Sequence, residues 1–279
     1  MSDTFQRSCE HWSEAGRREM EDFYALASVD YRHLAQALDW KHWLKGCQER
    51  AGERPLRLLD VACGSGKFPA ALLRDADLAS APILPVDYAL LDPSAFSIAE
   101  ARRALAAPFE AGETFETTLQ GLDCPRGAFD IVWATHALYA LPAAELERGL
   151  ERFMHALGGA GFIAHACADA HYLRFYRHYL DAFHGGQGVA YISAEEIVAA
   201  LERMGVDAET RVISYRNGAP VAERSRVQGY LQRCVFDDSV DLDDLLAHPA
   251  TGDYLANCRH DDGWWFPQRV MLIFLQARS

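Results

Sequence analysis

The sequence has no CxxC pair, no ligand-spaced histidines and no apolar run approaching the roughly 20 residues that cross a bilayer. Its seven cysteines stand apart at 9, 47, 63, 124, 167, 234 and 258, an odd number that suggests neither a zinc knuckle nor a disulfide framework. They read as reduced thiols of a cytoplasmic protein. The eleven histidines are scattered, and His165, His171 and His178 make no recognisable ligand set, so no metal is expected. The first stretch, "MSDTFQRSCEHWSEAGRREMEDF", is polar and mixed in charge, unlike a secretory signal. Positive charge is scarce: 27 Lys and Arg stand against 40 Asp and Glu, a net charge of −13 with the acids scattered. That disfavours a nucleic-acid surface, which needs basic patches to displace counterions. With no membrane segment either, a small molecule is the expected partner, for a chain acting as a monomer or homodimer.

What is present suits one large domain: 279 residues, 50% hydrophobic and 24% charged, without repeat, linker or low-complexity stretch. Residues Phe5 to about Gly46 carry apolar side chains at helical spacing and many aromatics, among them Phe23, Tyr24, Tyr31, Trp40 and Trp43. Strands and helices then alternate. Strands are expected at Leu56–Ala62, Ile83–Leu91, Phe115–Gln120 and Phe129–Thr135, with "GGAGFIAHAC" a glycine turn into a fifth and "DAETRVISYR" a sixth. Helices are expected at Ile98–Ala106, Ala143–Leu157, Tyr172–Phe183, after Ser193 as a cap, and at Arg226–Phe236 and Asp241–Leu246. A last apolar strand follows Pro267. Such alternation implies a parallel sheet covered on both faces.

The first strand runs into a glycine turn, "LRLLDVACGSGK". A phosphate-cradling loop needs G-x-x-x-x-G-K-[ST], yet Phe68 replaces the hydroxyl residue and Val61 stands in place of the first glycine. A dinucleotide turn, G-x-G-x-x-G, needs a third glycine beyond Gly64 and Gly66, and the sequence has none there. Asp60 would also repel a pyrophosphate, whereas a cationic ligand would gain from it.

The turn resembles motif I of the class I S-adenosylmethionine-dependent methyltransferases. "YALLDPS", "LQGLDCP" and "FDIVWATHALYALP" follow in that family's order and spacing. The resemblance implies a Rossmann-like α/β fold with a mostly parallel seven-stranded sheet between helical layers, and S-adenosyl-L-methionine as cofactor. It places cofactor contacts at Asp60, Ala62, Gly64 and Gly66, at Asp92, Pro93 and Ser97, at Gln120, Gly121 and Leu122, and at Thr135. Ala62 stands where many members have glycine, a methyl the turn should tolerate.

"LLDPSAFSIAEARRAL", "YISAEEIVAALERMGV" and "GWWFPQRVMLIFLQA" add a resemblance to histamine N-methyltransferase and its relatives. It implies an N-terminal helical lid over residues 1–50, and an α/β domain over 51–279 with substrate-covering insertions at about 168–190 and 222–262. Asp30 falls where that family has a substrate-amine acid, His136 where it has a glutamine, and Tyr139 on a pocket tyrosine. Tyr172 and Tyr176 replace two tryptophans, and Gln268 a polar amide; Tyr24 and Trp264 complete the expected substrate wall. Spaced i, i+4, Tyr172 and Tyr176 should face one pocket, where a cation gains from aromatic faces. His136, Tyr176 and Asp30 are thus the expected catalytic residues, with His136 taking or relaying a proton from a pKa near 6.5. N-methylation of a small amine or related natural-product intermediate is the expected reaction. Two alternatives stay open: cyclisation of S-adenosylmethionine to azetidine-2-carboxylate with release of methylthioadenosine, and a non-catalytic binding subunit.

Overall fold

The computed structural model describes residues 3–11, 17–80 and 83–277. Among the described residues the N-terminal helical region is three helices, α1 (Asp3–His11), α2 (Arg17–Gln36) and α3 (Trp40–Ala51); residues 12–16 of the expected helical stretch lie outside those described. The break before α3 is set by Asp39, whose side chain accepts from the His42 N–H at 3.0 Å, and by Trp40, whose indole N–H bonds back to the Leu34 carbonyl at 2.9 Å. α2 and α3 pack on the sheet. Leu34, Trp40, Leu44 and Cys47 are buried in one core with Leu56, Phe68, Trp133 and Phe162 of the sheet and its flanking helix.

The alternating part follows as β1 (Leu56–Val61), α4 (Lys67–Asp75), β2 (Val86–Leu91), α5 (Ala95–Ala104), β3 (Phe109–Phe115), β4 (Phe129–Thr135), α6 (Leu146–Ala156) and β5 (Leu157–Ala166). Then come α7 (His171–Phe183), α8 (Ala194–Arg203), β6 (Ala208–Ala219), α9 (Arg224–Val235), α10 (Leu242–Ala247), α11 (Pro249–Ala256), β7 (Arg259–His260) and β8 (Gly263–Gln276). The sheet order is β3-β2-β1-β4-β5-β8-β6. β1 to β5 pair in parallel, and β8 runs antiparallel to β5 and to β6. This is the mostly parallel Rossmann-like sheet, its seven strands joined by the two-residue β7 as a short hairpin on β8.

Three elements depart from the sequence expectation. The third strand is Phe109–Phe115 rather than Phe115–Gln120, and the end of the expected strand, Leu119 and Gln120, belongs to a 3₁₀ turn, Leu119–Gly121. As an edge strand β3 is exposed at most positions, so its sequence, FEAGETF, lacks the apolar run of its buried neighbours. The glycines of "GGAG" lie inside β5 rather than in a turn before it. A Cβ on Gly159 would stand 2.4 Å from the Asp130 carbonyl oxygen, so the start of β4 leaves no room for a side chain. β8 begins ahead of Pro267, which lies where β6 pairs on one side but β5 has already ended on the other. A missing N–H need cost no ladder bond there. The expected cap at Ser193 is a full capping box, with the Ser193 N–H on Glu196 Oε2 at 2.7 Å. No helix among the described residues is long and apolar enough to cross a membrane.

Candidate active site

A cavity of about 350 Å³ opens beyond the C-terminal ends of β1, β2 and β4. The strand order reverses between β1 and β4, the point where open α/β sheets hold their ligands. α2, α7 and α9 cover it, contributing Tyr24 and Asp30, Tyr172, and Arg233 and Cys234 respectively.

The glycine turn forms one wall. Gly66 has φ +70° and caps α4; a Cβ there would meet the Ala104 Cβ at 3.0 Å and the Ala101 Cα at 3.1 Å, so its bareness lets α4 start against α5. Ala62 also sits at positive φ, +52°, where a side chain is strained. The methyl is accommodated, and the glycine of many relatives is explained. Asp92, at the end of β2, accepts from the Gly64 N–H at 3.1 Å and the Ser94 N–H at 2.9 Å. Asp60 is 2% exposed and accepts from the Tyr88 hydroxyl at 2.7 Å. Burial pushes Asp60 up to about 7, against the hydrogen bond from Tyr88, and Asp92 up to about 6. Two buried acids facing a cavity, with no cation bonded to either among the described residues, suit a ligand that brings positive charge and hydroxyl groups. S-adenosylmethionine has both, and Asp92 can still accept from vicinal hydroxyls through its remaining lone pairs.

The far wall is aromatic: Phe23, Tyr24, Tyr31, Tyr139, Tyr172 and Tyr191. Asp30 lies among them, 3% exposed, with Oδ2 bonded by the Tyr172 hydroxyl at 2.5 Å and Oδ1 without a partner. Burial raises it to about 6, opposed by Tyr172, Asn217 and Tyr215. His136 follows β4 at φ +53°, its Nδ1 2.6 Å from the Tyr139 hydroxyl and its Nε2 unpartnered. Burial, and then the charge of His165, push His136 down to about 3. It therefore stays neutral, and the expected value near 6.5 is corrected. Asp30 is the stronger proton acceptor of the two.

Of the residues singled out from sequence, the cavity brings together Tyr24, Asp30, Asp60, Ala62, Gly64, Asp92, Pro93, Gln120, Thr135, His136, Tyr139 and Tyr172. Tyr176 is not among its walls. Its ring stacks on Tyr191 at 3.8 Å, and its hydroxyl meets Thr4 Oγ1 at 3.0 Å and Arg7 at 3.2 Å. Since α7 is buried on more than one side, i, i+4 spacing does not put both tyrosines in one pocket. Trp264 is a core residue stacked on Phe266, and Gln268 donates to the Tyr230 hydroxyl at 3.3 Å behind the wall. Gly66, Ser97, Gly121 and Leu122 lie next to the cavity wall without forming it; Ser97 donates its N–H to Ser94 Oγ at 3.2 Å in the cap of α5. Sequence reasoning missed Phe23, Tyr31, Lys67, Tyr191 and Arg233 as cavity residues. They come from four separate segments: Lys67 ends the glycine turn, Phe23 and Tyr31 lie in the aromatic N-terminal stretch, and no local pattern marks Tyr191 or Arg233.

Fold and cavity together define a class I methyltransferase. Residues 31–210 match the methyltransferase domain family, and the chain belongs to it. Its cofactor is S-adenosyl-L-methionine. None of the curated proteins matches the chain in sequence. Among solved structures it is similar to magnesium protoporphyrin IX methyltransferase from Synechocystis with bound S-adenosylhomocysteine: TM-score 0.55, 14% identity, 97% of this chain and 99% of that one. The same enzyme with bound S-adenosylmethionine gives TM-score 0.52 and 12% identity over 98% of each chain. A Bacillus halodurans protein provisionally designated a methyltransferase gives TM-score 0.54 and 13% identity, over 85% of this chain and 99% of that one. At such identities the likeness is one of fold.

Proposed function

We propose that the protein N-methylates a small amine whose ammonium sits against Asp30. The observation that carries this reading is the buried Asp30 carboxylate, with one oxygen unpartnered, inside a wall of aromatic rings. A cation over such rings gains roughly 0.5–2 kcal/mol once desolvated, and the acid adds direction. The cofactor supplies a methyl group on a sulfonium. Asp30, ionised above pH 6, binds the ammonium and accepts the proton it must lose to become nucleophilic. Tyr172 orients Asp30. His136, held neutral, offers a polar contact through Nε2 and is itself oriented by Tyr139. Closure by α2, α7 and α9 keeps water out, so most of the acceleration is positioning.

The cavity volume supports a second reading. About 350 Å³ is at the small end of the roughly 300–1,000 Å³ of ligand sites, and the cofactor takes a share of it. An acceptor must be small, or the cofactor's own amine is the nucleophile and azetidine-2-carboxylate the product. Incubation with S-adenosylmethionine, alone and with a panel of small amines, separates the two by mass. S-adenosylhomocysteine formed only with an amine supports methyl transfer; methylthioadenosine formed without any acceptor sinks it in favour of cyclisation.

A further inference from the structure

The wall around Asp30 is poor in free hydrogen-bond acceptors and rich in rings. Oδ2 of the carboxylate is taken by the Tyr172 hydroxyl at 2.5 Å, which leaves Oδ1 as its unpartnered oxygen. His136 Nε2 is a second buried atom of the cavity wall without a partner. The phenol hydroxyls nearby are engaged by the protein itself. Tyr172 also accepts from the Asn217 amide at 3.2 Å, Tyr139 pairs with His136 Nδ1 at 2.6 Å, and Tyr191 donates to the Cys234 carbonyl at 2.8 Å. The Tyr172 ring centroid lies 6.2 Å from that of Phe23, 6.1 Å from that of Tyr139 and 6.4 Å from that of His136. Tyr31 meets His136 edge-on at 5.8 Å. The acid stands among these rings: burial raises the Tyr31, Tyr139 and Tyr172 phenols, and the charge of Asp30 raises each further.

Such a wall treats the two kinds of substituent on a nitrogen cation differently. Each N–H needs an acceptor, and a donor buried without one costs about 5- to 150-fold in affinity. Each N-alkyl group packs on a ring instead, and the positive charge spread over it is attracted to the π face. A primary ammonium brings three N–H groups to one carboxylate oxygen and one imidazole nitrogen. A tertiary ammonium brings one N–H, and three alkyl groups for the rings.

We propose that the acceptor is an amine already N-alkylated, secondary or tertiary, so that the product is a tertiary amine or a quaternary ammonium. This substrate class rests on the amine reading above and narrows it. The ammonium places one N–H on Asp30 Oδ1 and its alkyl groups against Phe23, Tyr31, Tyr139 and Tyr172. Asp30 takes that proton, and the nitrogen lone pair so freed forms the new N–C bond. The carbon–sulfur bond of the sulfonium breaks with its electron pair going to sulfur. The product is a cation again, with one N–H fewer than the substrate ammonium. Asp30, neutral until it passes the proton on, attracts that product less than it did the substrate, which favours release.

Three isomers of one formula provide the test: isopropylamine, N-ethylmethylamine and trimethylamine. They are alike in size and all protonated at pH 8, and their cations carry three, two and one N–H respectively. The full chain, saturated with S-adenosylhomocysteine, is titrated with each and followed by nuclear magnetic resonance of the labelled protein. Trimethylamine is expected to bind about tenfold more tightly than isopropylamine, with N-ethylmethylamine also above it. With S-adenosylmethionine, kcat/KM should put the N-alkylated isomers above isopropylamine, and mass spectrometry should show the product with one added methyl group. Tyr31→Leu should narrow the binding order to within about threefold, since the rings create it, whereas Asp30→Asn should weaken all three. Isopropylamine bound best, or alone methylated, overturns the proposal and leaves the amine reading standing. Equal binding of the three isomers, or no methylation of either N-alkylated one however tightly bound, overturns it as well. If no isomer binds, the amine reading falls and the proposal with it. The ranking is read on the wild type, so it stands even should a variant not fold.

Discussion

Tyr172 donates its phenol hydroxyl to Asp30 at 2.5 Å, tying α7 to α2 across the cavity. Asn217 extends the chain, its side-chain amide standing 3.2 Å from the Tyr172 oxygen and 3.3 Å from that of Tyr230. The acid is thus aimed by groups from three elements, and its burial raises it to about 6. If the ionised form holds the amine, kcat/KM falls as pH drops through about 6. Asp30→Asn should lower kcat/KM about 10- to 150-fold, the equivalent of about 1.5–3 kcal/mol for a hydrogen bond to a charged group, and remove that limb. Affinity for S-adenosylhomocysteine should be unchanged. A pH profile retained in Asp30→Asn would place the titration elsewhere.

His136 yields an opposite expectation. Burial keeps it neutral to about pH 3, so a role as hydrogen-bonding group needs no titration. Replacement by glutamine, the residue of the resembling family, should cost less than about tenfold in kcat, since a neutral amide keeps the polar contact. His136→Ala should cost more. Tyr139→Phe leaves Nδ1 unpartnered in a buried site, a loss of about 1–3 kcal/mol that should show in both stability and rate. If His136→Gln abolishes turnover while folding normally, the imidazole is a base after all.

At Ala62 the backbone, not the side chain, is the issue. A φ of +52° costs an L residue about 1–2 kcal/mol relative to glycine. Ala62→Gly is expected to raise stability by about 1 kcal/mol, or about 2–4 °C in Tm, without loss of cofactor affinity. The unfolded chain's gain in entropy offsets some of this. Ala62→Val should go the other way. Thermal unfolding followed by circular dichroism decides it.

The cofactor half was legible because its chemistry is local. Asp60 stands near the end of β1, Gly64 and Gly66 follow it in the turn, and Asp92 directly follows a buried apolar strand, so each announces its place through neighbours in sequence. β3 was misplaced because an edge strand carries FEAGETF, a charged sequence, while the apolar residues after it build a 3₁₀ turn. The resemblance and the i, i+4 spacing both point Tyr176 at the pocket, but spacing gives a helix face and not what packs on that face; Tyr191 takes it. Arg233 reaches the cavity through tertiary packing, and nothing within a few residues of it signals this.

Asp60 and Asp92 make cofactor affinity depend on pH. Burial raises them to about 7 and about 6, so in the unliganded protein both take up protons in the range where solvated carboxyls are ionised. The sign follows for stability: a folded value above the unfolded 3.8 means their contribution is fully present below about 3.8 and lost as pH rises through 6 to 7. A cationic ligand needs the ionised forms, so its binding expels those protons and weakens as pH falls. Affinity for S-adenosylmethionine should therefore drop between pH 8 and pH 5.5, approaching about tenfold per pH unit for each acid below its own value. Asp60→Asn should remove the part of the slope centred near 7, and Asp92→Asn should weaken binding at every pH by removing the charge and turning one accepting oxygen into a donor. Calorimetry in two buffers of different ionisation heat reads the proton release directly. A proton count near zero at pH 6 would show that neither acid carries a proton in the free protein.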